Sequence, residues 1–149
     1  MEFRKFDRSK IDLVPYVKDY VLRFPNTEIL IGCDSQNSGK YTSYAVVVVL
    51  YEPGHGGHVI YRRIMEDREK NRHVRLMNEV WKSIEVATLL RDNNLNIKYI
   101  DIDINPNPRY KSNEVYDSAF GLVRGCGFEC RYKTLAPLCT TMADYVARK

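Results

Sequence analysis

An α/β fold built on a mixed sheet with helices on its faces is predicted by three features of the 149-residue sequence. Three strand-like runs follow one another with only turn residues between them. One long stretch with helical apolar spacing then interrupts the strands, and strand and helix patterns alternate after it. Antiparallel strands joined by turns, followed by strands joined through helices, imply a sheet with both kinds of pairing.

The first element is a helix over residues 11–23, "IDLVPYVKDYVLR", with apolar residues at Ile11, Val14, Val17 and Val21 and with Pro15 tolerable near the first turn. Phe24-Pro25-Asn26 stops it, so residues 1–25 read as an N-terminal helical extension. Residues 28–33 form a short buried strand, "SQNSGK" is turn chemistry, and residues 41–51, "YTSYAVVVVLY", form a long strand rich in β-branched and aromatic side chains. After a second turn, "EPGHGGH", residues 59–65 alternate as a third strand antiparallel to the second. Over residues 73–91 the period changes: Leu76, Val80, Ile84, Ala87 and Leu90 recur every three or four residues, which marks a helix.

"DNNLN" breaks that helix, and residues 97–104, "IKYIDIDI", make a fourth strand. A loop, "NPNPRYK", leads to Ser112 as the N-cap of a second helix that runs to Arg124 and ends at "GCG". A fifth strand over residues 128–134 and a last helix over residues 140–148 complete the order β-β-β-α-β-α-β-α behind the leading helix. No linker or internal repeat divides the 149 residues, which are read as one domain.

Composition limits the function classes. Hydrophobic content of 44% and charged content of 28% suit a chain of this size that buries a core without staples. The longest apolar run, residues 45–50, is far from the roughly 20 residues a spanning helix needs. The start, "MEFRKFDRSK", lacks the apolar stretch of a secretory signal, so a cytoplasmic location is expected. Cys33, Cys126, Cys130 and Cys139 match no zinc spacing and are read as free thiols. His55 and His58 flank two glycines of a turn without further ligands, and are read as structural. The net charge is +4, with basic residues clustered in "RKFDRSK", at Arg62-Arg63 and in "REKNRHVR". Such clusters would suit a polyanionic partner, although from charge alone a solvated surface is the plainer reading.

The acidic residues carry more information. Asp34 stands at the end of the first predicted strand. On the fourth, period 2 sends Ile100, Ile102 and Ile104 to one face and both Asp101 and Asp103 to the other. Buried carboxylates need a positive partner, either a basic side chain or a divalent cation. On the long helix Glu79 lies at the margin of the apolar stripe and can reach the sheet, whereas Glu85 projects away from it. Carboxylates gathered from two strands and a helix would form an oxygen-rich cluster of the kind that Mg²⁺ or Mn²⁺ prefers.

The element order, with Asp34 on strand one, Glu79 in the first long helix, Asp103 on strand four and Asp144 in the last helix, resembles the ribonuclease H-like fold with its five-stranded mixed sheet. More narrowly, "GCDSQNS", "RLMNEVWKSIEVA", "DIDINPNPRYKSNEV" and "MADYV" are similar to the small bacterial YkuK-type family of predicted ribonuclease H-related proteins. The resemblance implies a two-metal phosphodiesterase acting on nucleic acid, with Asp34, Glu79, Asp103 and Asp144 holding two Mg²⁺ or Mn²⁺ ions and Asp101 as a substitute for Asp103. Arg109, Tyr110 and Lys111, just after strand four, would bind substrate by pairing with phosphate and stacking on a base, or would simply form a rigid loop. Each acid also has a plainer reading: Asp34 as a turn residue, Glu79 as the partner of Arg75 or Lys82 along its helix. Two other functions fit the same residues, namely a non-catalytic nucleic-acid-binding or protein-interaction module, and a hydrolase of small phosphorylated molecules.

Overall fold

The computed structural model describes residues 1–102 and 115–132. The chain begins with β1 (Glu2–Arg4) and β2 (Lys10–Asp12), then α1 (Leu13–Arg23), β3 (Glu28–Ser38), β4 (Tyr41–Glu52), β5 (Gly56–Asp67), α2 (Arg72–Asp92), β6 (Ile97–Ile102), α3 (Tyr116–Gly125) and β7 (Cys130–Tyr132). The strands form one sheet in the order β2-β1-β5-β4-β3-β6-β7. β3, β4 and β5 pair antiparallel, whereas β6 pairs parallel with β3 and with β7. The mixed sheet of the sequence reading is therefore present with two more strands than expected.

Those two strands lie in the region read as a helical extension. Each has three residues, too short for a period to show, and Phe3 and Ile11 are their opposed apolar residues. Ile11, read as helical, therefore belongs to β2, and α1 starts two residues later with Pro15 inside its first turn.

The polar stretch after Asp34 is a second difference. β3 does not end there: it pairs with β4 through Ser38 opposite Tyr41, and the turn is only Gly39-Lys40. Gly39 takes a positive φ of 57°, which a two-residue hairpin requires at its first central position. Polar side chains persist in this strand because they bond one another. The Thr42 hydroxyl donates to Asn37 Oδ1 at 2.5 Å, Asn37 Nδ2 donates to the Glu69 carbonyl at 3.2 Å, and Glu69 N donates back to Thr42 Oγ1 at 2.9 Å.

α2 is capped at both ends. The Asn71 side chain accepts from Val74 N at its start. At its end Asn94 turns to φ 65°, with Leu95 N bonded to Leu90 O and Asn94 N to Arg91 O. The same paired closure ends α3, where Gly127 has φ 90°, Phe128 N reaches Val123 O and Gly127 N reaches Arg124 O.

All three described helices pack on one face of the sheet. Leu13 and Val17 of α1, Leu76, Val80, Ile84 and Leu90 of α2, and Ala119 and Val123 of α3 share one core with Ile29, Ile31, Cys33, Val46, Val48 and Ile100. The other face holds Leu30, Ala45, Val47, Val49 and Tyr61, buried, with Tyr99 packed beside them. The N-cap expected at Ser112 and the helix expected over residues 140–148 lie outside the described residues. Among the described residues no helix is long and apolar enough to cross a membrane.

Candidate active site

β3 is the second strand from β7 and the first to pair with both a parallel and an antiparallel neighbour. Its alternation divides the acidic region between the two sheet faces. Ile31, Cys33 and Ser35 share one parity and look toward α2, while Leu30, Gly32 and Asp34 share the other. Asp34 lies opposite Ala45, is 8% exposed, and accepts from Ser35 N at 2.9 Å.

Glu79 meets the sheet from the helix side. It is buried at 5% exposure and accepts a hydrogen bond from the Ser35 hydroxyl. Glu85 is exposed, as the helical wheel predicts. The intrahelical pairing considered for Glu79 is not what occupies Lys82, whose ammonium lies 2.9 Å from Glu66 Oε2 and 4.4 Å from the centre of the Tyr44 ring. Consecutive residues of β3 thus carry Asp34 on one face and hold Glu79 on the other. Burial pushes the Cys33 thiol well above its ordinary pKa, and the negative charges of Glu79 and then Asp34 add to it. The thiol stays protonated and serves as a small neutral neighbour. A small cleft between α2 and the β3–β6 pair is lined by Cys33, Leu76, Glu79, Val80, Ser83, Asp101 and Ile102.

On β6, Asp101 lies level with Gly32 and shares the face of Tyr99 and Asp34. Its partner is cationic. Arg131 of β7 grips both carboxylate oxygens, at 2.9 and 3.2 Å, and its guanidinium lies 4.4 Å from the centre of the Tyr99 ring. With Asp101 1% exposed, this is a buried bidentate pair. Burial raises the neighbouring Cys130 thiol to about 12, with the Asp101 charge as the next cause.

The sequence reading did not foresee Ser35 or Arg131. The signal for Ser35 was its odd parity beside Asp34, and that for Arg131 was a cation in an edge strand level with a buried acid. Asp103, Asp144, Arg109, Tyr110 and Lys111 lie outside the described residues. Among the described residues no three His, Cys, Asp or Glu side chains gather to hold a metal ion. Those described contribute oxygen donors from two elements, Asp34 on β3 and Glu79 on α2, the latter bonded to the next residue of β3, Ser35, and carboxylate oxygen is the donor chemistry that suits a hard cation.

A family model described as Ribonuclease H-like matches residues 12–148. The chain belongs to that family. The match covers both the Asp34 strand and the Glu79 helix, and it agrees with the YkuK-type motifs. Membership of the ribonuclease H-like family suggests a function related to nucleic acid. Comparisons with curated proteins and with solved structures find no match.

Proposed function

We propose that the protein is a divalent-metal-dependent nuclease that hydrolyses phosphodiester bonds of nucleic acid with two Mg²⁺ or Mn²⁺ ions. The observation that carries this reading is a pair of buried carboxylates joined through one residue of a ribonuclease H-like sheet: Asp34 on β3, which accepts from Ser35 N, and Glu79 on α2, which accepts from the Ser35 hydroxyl. Carboxylate oxygens from a strand and a helix are the donors that Mg²⁺ and Mn²⁺ prefer. Asp34, Glu79, Asp103 and Asp144 are the proposed ligands. Asp103 is preferred to Asp101 because Asp101 is gripped by Arg131, and because Asp34 stands two residues beyond Gly32, the residue level with Asp101.

When bound, the ions would lower the pKa of water and neutralise charge on the leaving oxygen. The chain's own part is to hold the carboxylates in place: Ser35 N fixes Asp34, and the Ser35 hydroxyl orients Glu79. Arg109, Tyr110 and Lys111 are proposed to hold the substrate strand. Cleavage of a labelled oligonucleotide in Mn²⁺ should be lost in Asp34→Asn, and full activity of that variant in a clean preparation would refute the assignment.

A second reading is a non-catalytic nucleic-acid-binding module on the same fold. The Asp101–Arg131 pair favours it, because a structural ion pair occupies one of the candidate ligands. Calorimetry with Mn²⁺ separates the two: the nuclease binds the ion through Asp34, and the module does not.

A further inference from the structure

Beyond Asp34 the sheet continues as a two-sided ribbon, and the face that carries Asp34 changes character along it. Nearer the core this face is closed: Val47, Val49 and Ala45 are 0–1% exposed. Continuous register then sets Asp34, Ala45 and Arg63 in one row, Gln36, Ser43 and Met65 in the next, and Ser38, Tyr41 and Asp67 in the last. Tyr41 is 49% exposed and Met65 50% exposed, and as diagonal neighbours on one face they make a small apolar platform. Arg63, in the row of Asp34, is exposed, and its Nε donates to Ser43 Oγ in the row of Met65 at 2.9 Å. At about 3.3 Å per residue, the Tyr41 row lies roughly 13 Å along the strand from Asp34.

The charge at this end has a positive excess. Lys40 together with residues 62–75 contains seven Lys and Arg against three Asp and Glu, an excess of four that equals the +4 of the whole chain. Lys40 and Arg68 cap the hairpin tip, where Arg68 N donates to Lys40 O and the Arg68 guanidinium donates to Gly39 O, both at 2.9 Å. Lys70 and Arg72 are exposed beside it.

We propose that this ribbon face, with Tyr41 and Met65 as a stacking platform and Arg63, Lys40 and Arg68 as phosphate contacts, binds a single-stranded nucleic acid and leads it to Asp34. The proposal rests on the nuclease reading for its direction toward Asp34, and it adds the substrate class and a binding surface. A flat sheet face with an exposed aromatic stacks unpaired bases, whereas bases inside a duplex are unavailable for stacking. The surrounding cations attract the backbone without reading sequence.

The test is fluorescence anisotropy of a labelled 12-nucleotide oligo(dT) in EDTA, so that binding is read without cleavage. Tyr41→Ala and Arg63→Gln should each weaken binding about tenfold while the melting temperature stays close to that of the parent. Tyr41→Phe, which keeps the ring, should bind like the parent. Parent-like affinity in Tyr41→Ala, equal affinity for a duplex of the same length, or equal competition by polyglutamate would each overturn the proposal. Asp34→Asn separates the two readings. If it binds oligo(dT) normally but does not cleave, both stand. If it still cleaves while Tyr41→Ala loses binding, the platform stands and the metal assignment falls.

Discussion

Asp34 and Asp101 lie on adjacent parallel strands, on the same sheet face, with Asp34 two residues beyond the level of Asp101. Both are buried aspartates, yet their surroundings differ. Asp101 has β7 beside it, and Arg131 on that strand meets both of its oxygens. Asp34 has β4 beside it, where the residue opposite is Ala45, and its nearby chemistry is a Ser35 amide and, across the sheet, the Glu79 carboxylate. At one site a guanidinium clasps an acid, and at the other a single serine bonds to two acids on opposite faces of its strand. A buried ion pair is a structural device, whereas carboxylate oxygens brought in from a strand and a helix have the chemistry that suits a hard cation.

The largest expected effect separates the two residues by activity. Asp34→Asn should lower Mn²⁺-dependent cleavage roughly 100- to 1000-fold, the scale for removing one transition-state electrostatic contact. Asp101→Asn should leave cleavage within a few-fold of the parent. Equal losses in an oligonucleotide cleavage assay on folded variants would erase the distinction.

The next effect separates them by stability. Arg131→Met removes the guanidinium from a carboxylate that is 1% exposed, and should cost about 3 kcal/mol in urea unfolding. Arg131→Lys should recover only part of this, because an ammonium cannot make the two parallel bonds. An unchanged urea midpoint in Arg131→Met would show that the pair adds nothing to the fold.

A smaller effect concerns the orientation of Glu79. Ser35→Ala removes the hydroxyl that donates to Glu79 and should lower cleavage about tenfold, the usual scale for a group that orients a ligand. Ser35→Thr keeps the donor and should restore most of the activity. Mn²⁺ titration should show the Ala variant binding the ion more weakly, which a purely structural role for Ser35 would not produce.

Much of the sheet was legible in the sequence because its signals are local. The valine-rich run of β4 and the leucine-to-leucine spacing of α2 each fix an element on their own, and Glu79 followed from the helical wheel. The length of β3 was not legible, because Ser35 and Asn37 look like turn residues until their partners at Glu79, Thr42 and Glu69 are known. β1 and β2 were hidden because three residues show no period. Arg131 was hidden for a related reason: its role depends on the parallel register of β7 with β6, which no local pattern encodes.

The smallest effect uses a thiol as a reporter of the Asp101 side. Cys130 is raised to about 12 first by burial and then by the Asp101 charge. The reactive form is the thiolate, so iodoacetamide at pH 8 should label Cys130 slowly in the parent. Asp101→Asn removes one negative charge, lowers the thiol pKa, and should speed labelling severalfold. Asp34→Asn should leave that rate unchanged, because Asp34 is not among the charges acting on Cys130. Labelling followed by mass spectrometry, at a urea concentration well below the unfolding midpoint of each variant, distinguishes this electrostatic effect from simple loosening. If Asp34→Asn accelerated Cys130 as much as Asp101→Asn, the two acids would share one field, and their division into a structural pair and a metal site would fail.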